Sequence, residues 1–251
     1  MSNIRLIKSL WRAGTMLTPS SEDVKHPATD TQADTKSMFY KAAVKTQPCL
    51  VPNDLITAQV IDFVAILAHN FELSGVTIKF QGATNSAFTT GVVTETLTYN
   101  AVNIFKSFTA WAAKQYVRVR LEKGSDFTDY PQFATVICGE QLEPNRSFVK
   151  PYEEGNDDLS EGDYSEAGIF FGQEKEILDT RILPFKGLNT TSKDAINTFI
   201  KYHKKMWAFV VVFDPDNPND DSHWMKFASI ASRPYQHKDY WNWRASLVEV
   251  K

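Results

Sequence analysis

Tyr116-Val117-Arg118-Val119-Arg120-Leu121 is the stretch that decides the fold class. Val117, Val119 and Leu121 alternate with Tyr116, Arg118 and Arg120, a period of two that puts one set on each face of a strand. One face is then buried and the other wet, the pattern of an antiparallel sheet. The same alternation runs through residues 75–80, where Val76, Ile78 and Phe80 are set against Thr77 and Lys79. Residues 60–67 form an apolar run rich in branched side chains and end at the polar pair His69-Asn70, and residues 133–138 form another such run. Glycines, prolines and asparagines interrupt these segments at short intervals, so the first half is expected to be a β-sandwich of short strands.

The second half contains one helix. Thr191 and Ser192 offer capping hydroxyls with Asp194 in the first turn. Ala195, Ile196, Phe199, Ile200 and His203 then share one face at helical spacing, and Lys201, Lys204 and Lys205 complement the dipole at the C-terminal end. Residues 207–213 are valine-rich and too short for a buried helix, which predicts a central strand ending in an Asp214-Pro215 turn. Residues 224–230 and 244–250 alternate well enough to be strands. Strands, one helix, then strands describe a small α+β barrel or sandwich.

The chain has 251 residues, 43% apolar and 23% charged, with a formal charge of −3. This is ordinary globular composition and excludes a collagen or a fully disordered chain. Near-neutral charge gives no reason to expect nucleic-acid binding. No uninterrupted apolar run approaches the length needed to cross a bilayer, so no membrane span is expected. The N-terminus lacks the continuous apolar core of a signal peptide, so synthesis in a cytoplasm and a soluble product are expected. Residues 1–150 carry 15 basic and 13 acidic groups, whereas residues 151–251 carry 12 and 17. The change falls at an acidic segment, residues 151–166, with almost nothing apolar to bury; it is expected to be an exposed linker between domains at 1–150 and 167–251. Cys49 and Cys138 read as buried free thiols.

Catalytic signatures are scarce. There is no Gly-x-Ser-x-Gly elbow, no phosphate-binding glycine loop and no His-Glu-x-x-His. The five histidines have no metal-ligand spacing, and no cofactor or metal is expected. His69 and Asn70, following a strand, are either a ligand contact on a loop or a turn whose side chains bond local backbone. His203 reads as a partly buried core histidine. Asp214, Asp216, Asp220 and Asp221 supply hard oxygen ligands suited to calcium, but Pro215 and Pro218 break the series, which favours a solvated turn. Tyr235, Tyr240, Trp241 and Trp243, interleaved with His237, Lys238 and Arg244, either form an interface or a sugar-stacking surface, or close a core. The core is expected to include Phe63, Ile66, Ile78, Val117, Val119, Ile137, Phe199, Phe209, Val211 and Phe213.

Two resemblances add to this reading. The opening Trp11 to Asp23, then His26-Pro27-Ala28-Thr29-Asp30, with the strands at 61–71, 74–78 and 116–120, resembles the discoidin-like (galactose-binding-like) jelly rolls of tailed-phage virion proteins. Arg181-Ile-Leu-Pro-Phe185-Lys-Gly-Leu188, the helix after it, and Phe209-Val-Val-Val-Phe213-Asp214-Pro215 resemble the split barrels of distal-tail proteins. These resemblances imply a jelly roll followed by an α+β split barrel, and a non-enzymatic virion protein of a phage tail or baseplate. Such a subunit assembles into a homo-oligomeric ring with other tail proteins, hiding strand edges on closure. The alternative is a carbohydrate- or receptor-binding module that contacts a host surface glycan. A third reading is a hydrolase using His69, Asp62 and a serine.

Overall fold

The structure is a computed structural model that describes residues 3–72, 75–146, 153–158, 161–164, 170–173, 177–219, 221–229, 235–237 and 240–250. In chain order the strands are β1 (Arg5–Ile7), β2 (Thr15–Met16), β3 (Tyr40–Lys41), β4 (Cys49–His69), β5 (Thr77–Ala83), β6 (Val93–Leu97), β7 (Asn103–Glu122), β8 (Gln132–Gly139) and β9 (Gln141–Leu142). Then come β10 (Glu153–Asp158), β11 (Glu161–Tyr164), β12 (Phe170–Gln173), β13 (Ile177–Leu188), the helix α1 (Thr190–His203), β14 (Phe209–Val212), β15 (Ser222–Ser229), β16 (Tyr235–His237) and β17 (Tyr240–Glu249). All described pairings are antiparallel. The protein is mainly β, an antiparallel sandwich with a small α+β part holding one helix. Among the described residues, no helix is long and apolar enough to cross a membrane.

Contacts divide the chain into two compact units, one of residues 1–143 and 209–223, the other of residues 144–208 and 224–251. The division therefore falls seven residues before the expected boundary at 150 and returns residues 209–223 to the first unit. The reason is pairing: in the first unit β1 lies between β14 and β9, with Leu6 opposite both Val211 and Leu142. Apolar residues on β1 and β14 are buried together only if that segment comes back.

In the first unit, β4 and β7 are far longer than the expected strands because each serves two layers. Residues 49–54 of β4 pair with 116–121 of β7, which also pairs with β5, and β5 with β6. Residues 63–67 of β4 pair with 103–107 of β7 on one side and with β8 on the other. Register shifts between Asp54 and Phe63 mark the bend joining the layers, and Ile56 there has φ 70°. The core between the layers takes Val51, Ile78, Phe80, Val117, Val119 and Leu121 from one and Val64, Ile66, Ile104, Val136 and Cys138 from the other. Phe80 stacks on Trp111 with ring centres 5.4 Å apart. Only a glycine at 82 allows this, since a Cβ there would lie 2.8 Å from the Trp111 ring.

In the second unit β13 lies between β10 and β17, and β17 also pairs with β15 and β16. The acidic segment expected as a linker is thus a paired strand over residues 153–158; the rest of 151–166, apart from β11, lies outside the described residues. Its carboxylates face arginines of β13 and β17: Glu153 accepts from Arg244 at 2.9 and 3.0 Å, and Glu154 lies 3.6 Å from Arg181. Helix α1 buries Ile196, Phe199, Ile200 and His203, the expected face. Its cap differs: Asn189, not Thr191 or Ser192, takes the position, with Oδ1 accepting the Ser192 N–H at 2.8 Å. A short amide reaches the N3 donor from the N-cap position, which frees Ser192 to accept the Asn145 N–H through Oγ at 2.9 Å. Of the expected core, Phe213 is only half-buried, at the mouth of the turn after β14; the others are buried.

Candidate functional site

The aromatic segment near the C-terminus does not form one surface. Trp243 is 3% exposed and stacks on Phe185 with centres 5.1 Å apart, with Phe227 edge-on at 6.2 Å. Trp243 is therefore core, because β17 turns that side of the strand inward. Trp241 lies under Lys193, whose Nζ is 4.4 Å from the ring centre. Tyr240 is exposed, at 46%. The side chains of Tyr235 and His237, and all of Lys238, lie outside the described residues.

His69 bonds local backbone, whereas Asn70 bonds backbone far along the chain. His69 Nδ1 accepts the Phe71 N–H at 3.1 Å, and the ring stacks on Phe71 at 4.4 Å with Tyr99 edge-on at 5.9 Å. Burial pushes its pKa down to about 4 against the backbone contact at Asn100, so the ring is neutral at physiological pH. Asn70 donates through Nδ2 to Tyr130 O at 3.0 Å and accepts the Gln132 N–H at 2.9 Å. Asp62 accepts the Gln141 N–H at 2.8 Å. Asp62 and His69 stand seven residues apart on one extended strand, roughly 20 Å, too far for a shared triad.

What these residues do bring about is a fixed loop end. Asn70 reaches the far end of the loop between β7 and β8, and Glu72 holds its middle. The Glu72 carboxylate takes the Lys123 ammonium, the Thr128 N–H, the Thr128 hydroxyl at 3.1 Å and the Asp129 N–H at 3.3 Å. The Lys123 hydrogen bond, with these others and against desolvation, brings its pKa down to about 2. Between the two anchors Tyr130 presents a ring 40% exposed. Lys41 Nζ lies 5.3 Å and Lys45 Nζ 5.1 Å from its centre, and Lys45 also donates to Thr128 O. The adjoining cavity, lined by Asn70, Phe71, Val76 and Phe127 among others, has a volume of about 10 Å³, room for one water and no more. The loop end therefore offers a surface, not a cleft: one amphipathic ring, two ammonium groups and exposed Thr128 and Asp129. Sequence reasoning missed Tyr130 because its signal, a lone tyrosine before Pro131, has no periodicity around it.

The 214–221 turn is closed by Asp214. Its carboxylate accepts the Asp216 N–H and the Asn217 amide, both at 3.0 Å, and these bonds lower its pKa. Among the described residues no group of three or more His, Cys, Asp or Glu comes together to hold a metal ion. Cys49 and Cys138 are both buried and free.

No model of a known protein family matches the sequence, and no curated protein does. Solved structures of carbohydrate-binding modules are similar to it. One is chitosan-binding module 1 from a chitosanase/glucanase of Paenibacillus sp. IK-5, 21% identical over 53% of this chain and 98% of that one, with a TM-score of 0.43. Another is the family 32 CBM of Clostridium perfringens NanJ in complex with galactose, 12% identical over 54% and 98%, TM-score 0.41. A third is a Streptococcus pneumoniae fucose-binding module, 13% identical over 53% and 98%, TM-score 0.42.

Proposed function

We propose that the first unit binds carbohydrate without transforming it, at the loop end around Tyr130. The observation that carries this reading is the half-exposed Tyr130 ring held by two independent anchors, Asn70 and Glu72, with the Lys41 and Lys45 ammonium groups beside it. An aromatic ring covers the apolar face of a sugar at little entropic cost, and adjacent donors meet its hydroxyls. Asp62 and His69, the pair a hydrolase reading needs, each serve backbone instead. The test is a glycan array probed with the whole chain and with Tyr130→Ala. Retention of a defined set of glycans, lost in the variant, is the expected result; no retention, or retention indifferent to Tyr130, overturns the reading.

The reading of the chain as a phage tail or baseplate ring subunit stands as a second one, and locates the protein in a virion. One observation favours it: β10 has a paired neighbour on one side only among the described residues, an open margin that a second copy could cover. Sedimentation of the full chain tests it, and a monomer at all concentrations, with no tail-protein partner, overturns it.

A further inference from the structure

A second constellation lies on the solvent face of the layer formed by β4, β5, β6 and β7, built on strands and not on loops. Across β5 and β7, Lys79 stands opposite Arg120, Gln81 opposite Arg118, and Ala83 opposite Tyr116; Pro52 and Asp54 of β4 stand beyond Arg118 and Tyr116. Lys79 and Arg120 both engage Glu122. Asp54 is occupied by the Ile56 N–H at 2.7 Å and by Gln115 at 3.0 Å.

Arg118 is treated differently. Its Nε donates to Gln81 Oε1 at 2.8 Å, and Gln81 Nε2 donates in turn to Thr94 at 2.9 Å, so the fork is fixed through three strands. The guanidinium carbon lies 4.1 Å from the centre of the Phe88 ring. Neither terminal amino nitrogen of Arg118 has a protein partner among the described residues, and the group is half-buried. Burial, and then the neighbouring Arg120, lower its pKa, as expected where cations outnumber their partners.

The Phe88 side of the stack is itself constructed. Phe88 has φ 54°, a left-handed conformation that a bulky side chain takes only when its surroundings impose it. Asn85 imposes it: Oδ1 accepts the Thr89 and Thr90 N–H groups at 3.0 and 3.1 Å, and Nδ2 donates to Thr89 at 2.7 Å. Lys114 is buried and donates to Gly91 O at 2.7 Å, which ties down the other end of the loop. Strain, a buried lysine and an asparagine clasp together serve to hold one ring against one guanidinium.

We propose that Arg118 anchors a ligand site on this sheet face that takes the carboxylate of an acidic sugar. The free edge of a planar guanidinium matches a carboxylate through two parallel N–H···O bonds, and the Phe88 stack removes the cost of orienting it. Tyr116, two residues along β7 on the same face and only partly covered, offers an aromatic surface for the sugar ring. This site goes beyond the loop-end reading and does not depend on Tyr130.

The test is a titration of the full chain, followed by NMR, with glucuronate, glucose and acetate. Glucuronate is expected to shift the Arg118 Nε–H, Gln81 and Phe88 signals saturably, with glucose and acetate at least about tenfold weaker. Arg118→Lys, which keeps the charge but loses the fork, weakens glucuronate by about tenfold or more. Phe88→Leu, a second variant away from the charge, weakens it severalfold. Tyr130→Ala leaves it unchanged, which separates failure of this site from failure of the loop-end reading. Glucose binding as tightly as glucuronate, acetate matching glucuronate, shifts confined to the loop end, or an Arg118→Lys affinity equal to the parent each overturn the proposal. The titration of the unsubstituted protein decides even where a variant fails to fold.

Discussion

Asn70 and Gln132 are bonded twice. The Asn70 N–H donates to Gln132 O at 3.2 Å, and the Gln132 N–H donates to Asn70 Oδ1 at 2.9 Å, so a side-chain amide completes what a strand pair would otherwise do with backbone. The third bond of Asn70, to Tyr130 O, extends this join to the ring on which the carbohydrate reading rests. Asn70→Ala removes both side-chain bonds and is expected to cost about 1–2 kcal/mol. A chemical denaturation curve measures it, and a midpoint equal to the parent's shows that the join is not structural.

His69 titrates in a way that reports burial. Its pKa of about 4 lies below the ordinary 6.5, so between those values the unfolded chain takes a proton that the folded one refuses. Folding stability is therefore complete above about pH 6.5, declines as the pH falls toward 4, and loses nothing further from this group below that. Imidazole chemical shifts followed by NMR are expected to give a midpoint near 4; a midpoint at or above 6.5 contradicts the packing against Phe71.

Glu72 behaves with the same sign for a different reason. Its depressed pKa means that the bonds to Lys123, Thr128 and Asp129 are fully present above about pH 4.5 and are lost as the pH falls through about 2. Glu72→Gln abolishes the charge-assisted bonds at every pH. Amide exchange at Thr128 and Asp129 is expected to be faster in the variant at pH 7, and slower exchange or no change argues that the loop is held otherwise.

Trp243 and Tyr240 sit three residues apart and should respond oppositely. Trp243→Ala empties a site enclosed by Phe185 and Phe227 and is expected to cost about 3–5 kcal/mol. Tyr240→Ala, at an exposed position, should stay within about 0.5 kcal/mol. Paired thermal melts settle the comparison, and equal destabilisation would show that the two share one environment.

Both thiols should be silent in the folded protein. Burial pushes the Cys138 thiol up to about 12, and it raises Cys49 as well, whose Sγ lies 3.3 Å from the Tyr40 hydroxyl. A thiol-specific colorimetric reagent at pH 8 is expected to find nothing until denaturant is added, then two equivalents. Rapid reaction of either in the native state contradicts its burial.

Alternation made the strands legible, and periodicity the helix: Val117, Val119 and Leu121 are buried on one side of β7, and Ile196, Phe199, Ile200 and His203 on one side of α1. Strand length was not legible, because Pro52, Asn53 and Asp54 look like a break and yet continue β4 toward its bend. The acidic segment misled for a related reason. Composition records the repulsion among Glu153, Glu154 and their neighbours, whereas Arg181 and Arg244, which relieve it, stand far along the chain. Of the candidate sites, His69-Asn70 was legible as a pair that bonds backbone, but not that Asn70 would reach as far as Tyr130 and Gln132. Arg118 was visible only as the wet half of an alternating strand, since nothing local announces that Phe88 will lie on it.

The doubling-back of β4 and β7 has a consequence for how the first unit comes apart. Two strands that each belong to both layers leave no seam along which one layer could peel from the other. Disruption at the Ile56 bend should therefore be felt at both ends of the strands together, and hydrogen exchange should find the two halves of β4 opening in a single event.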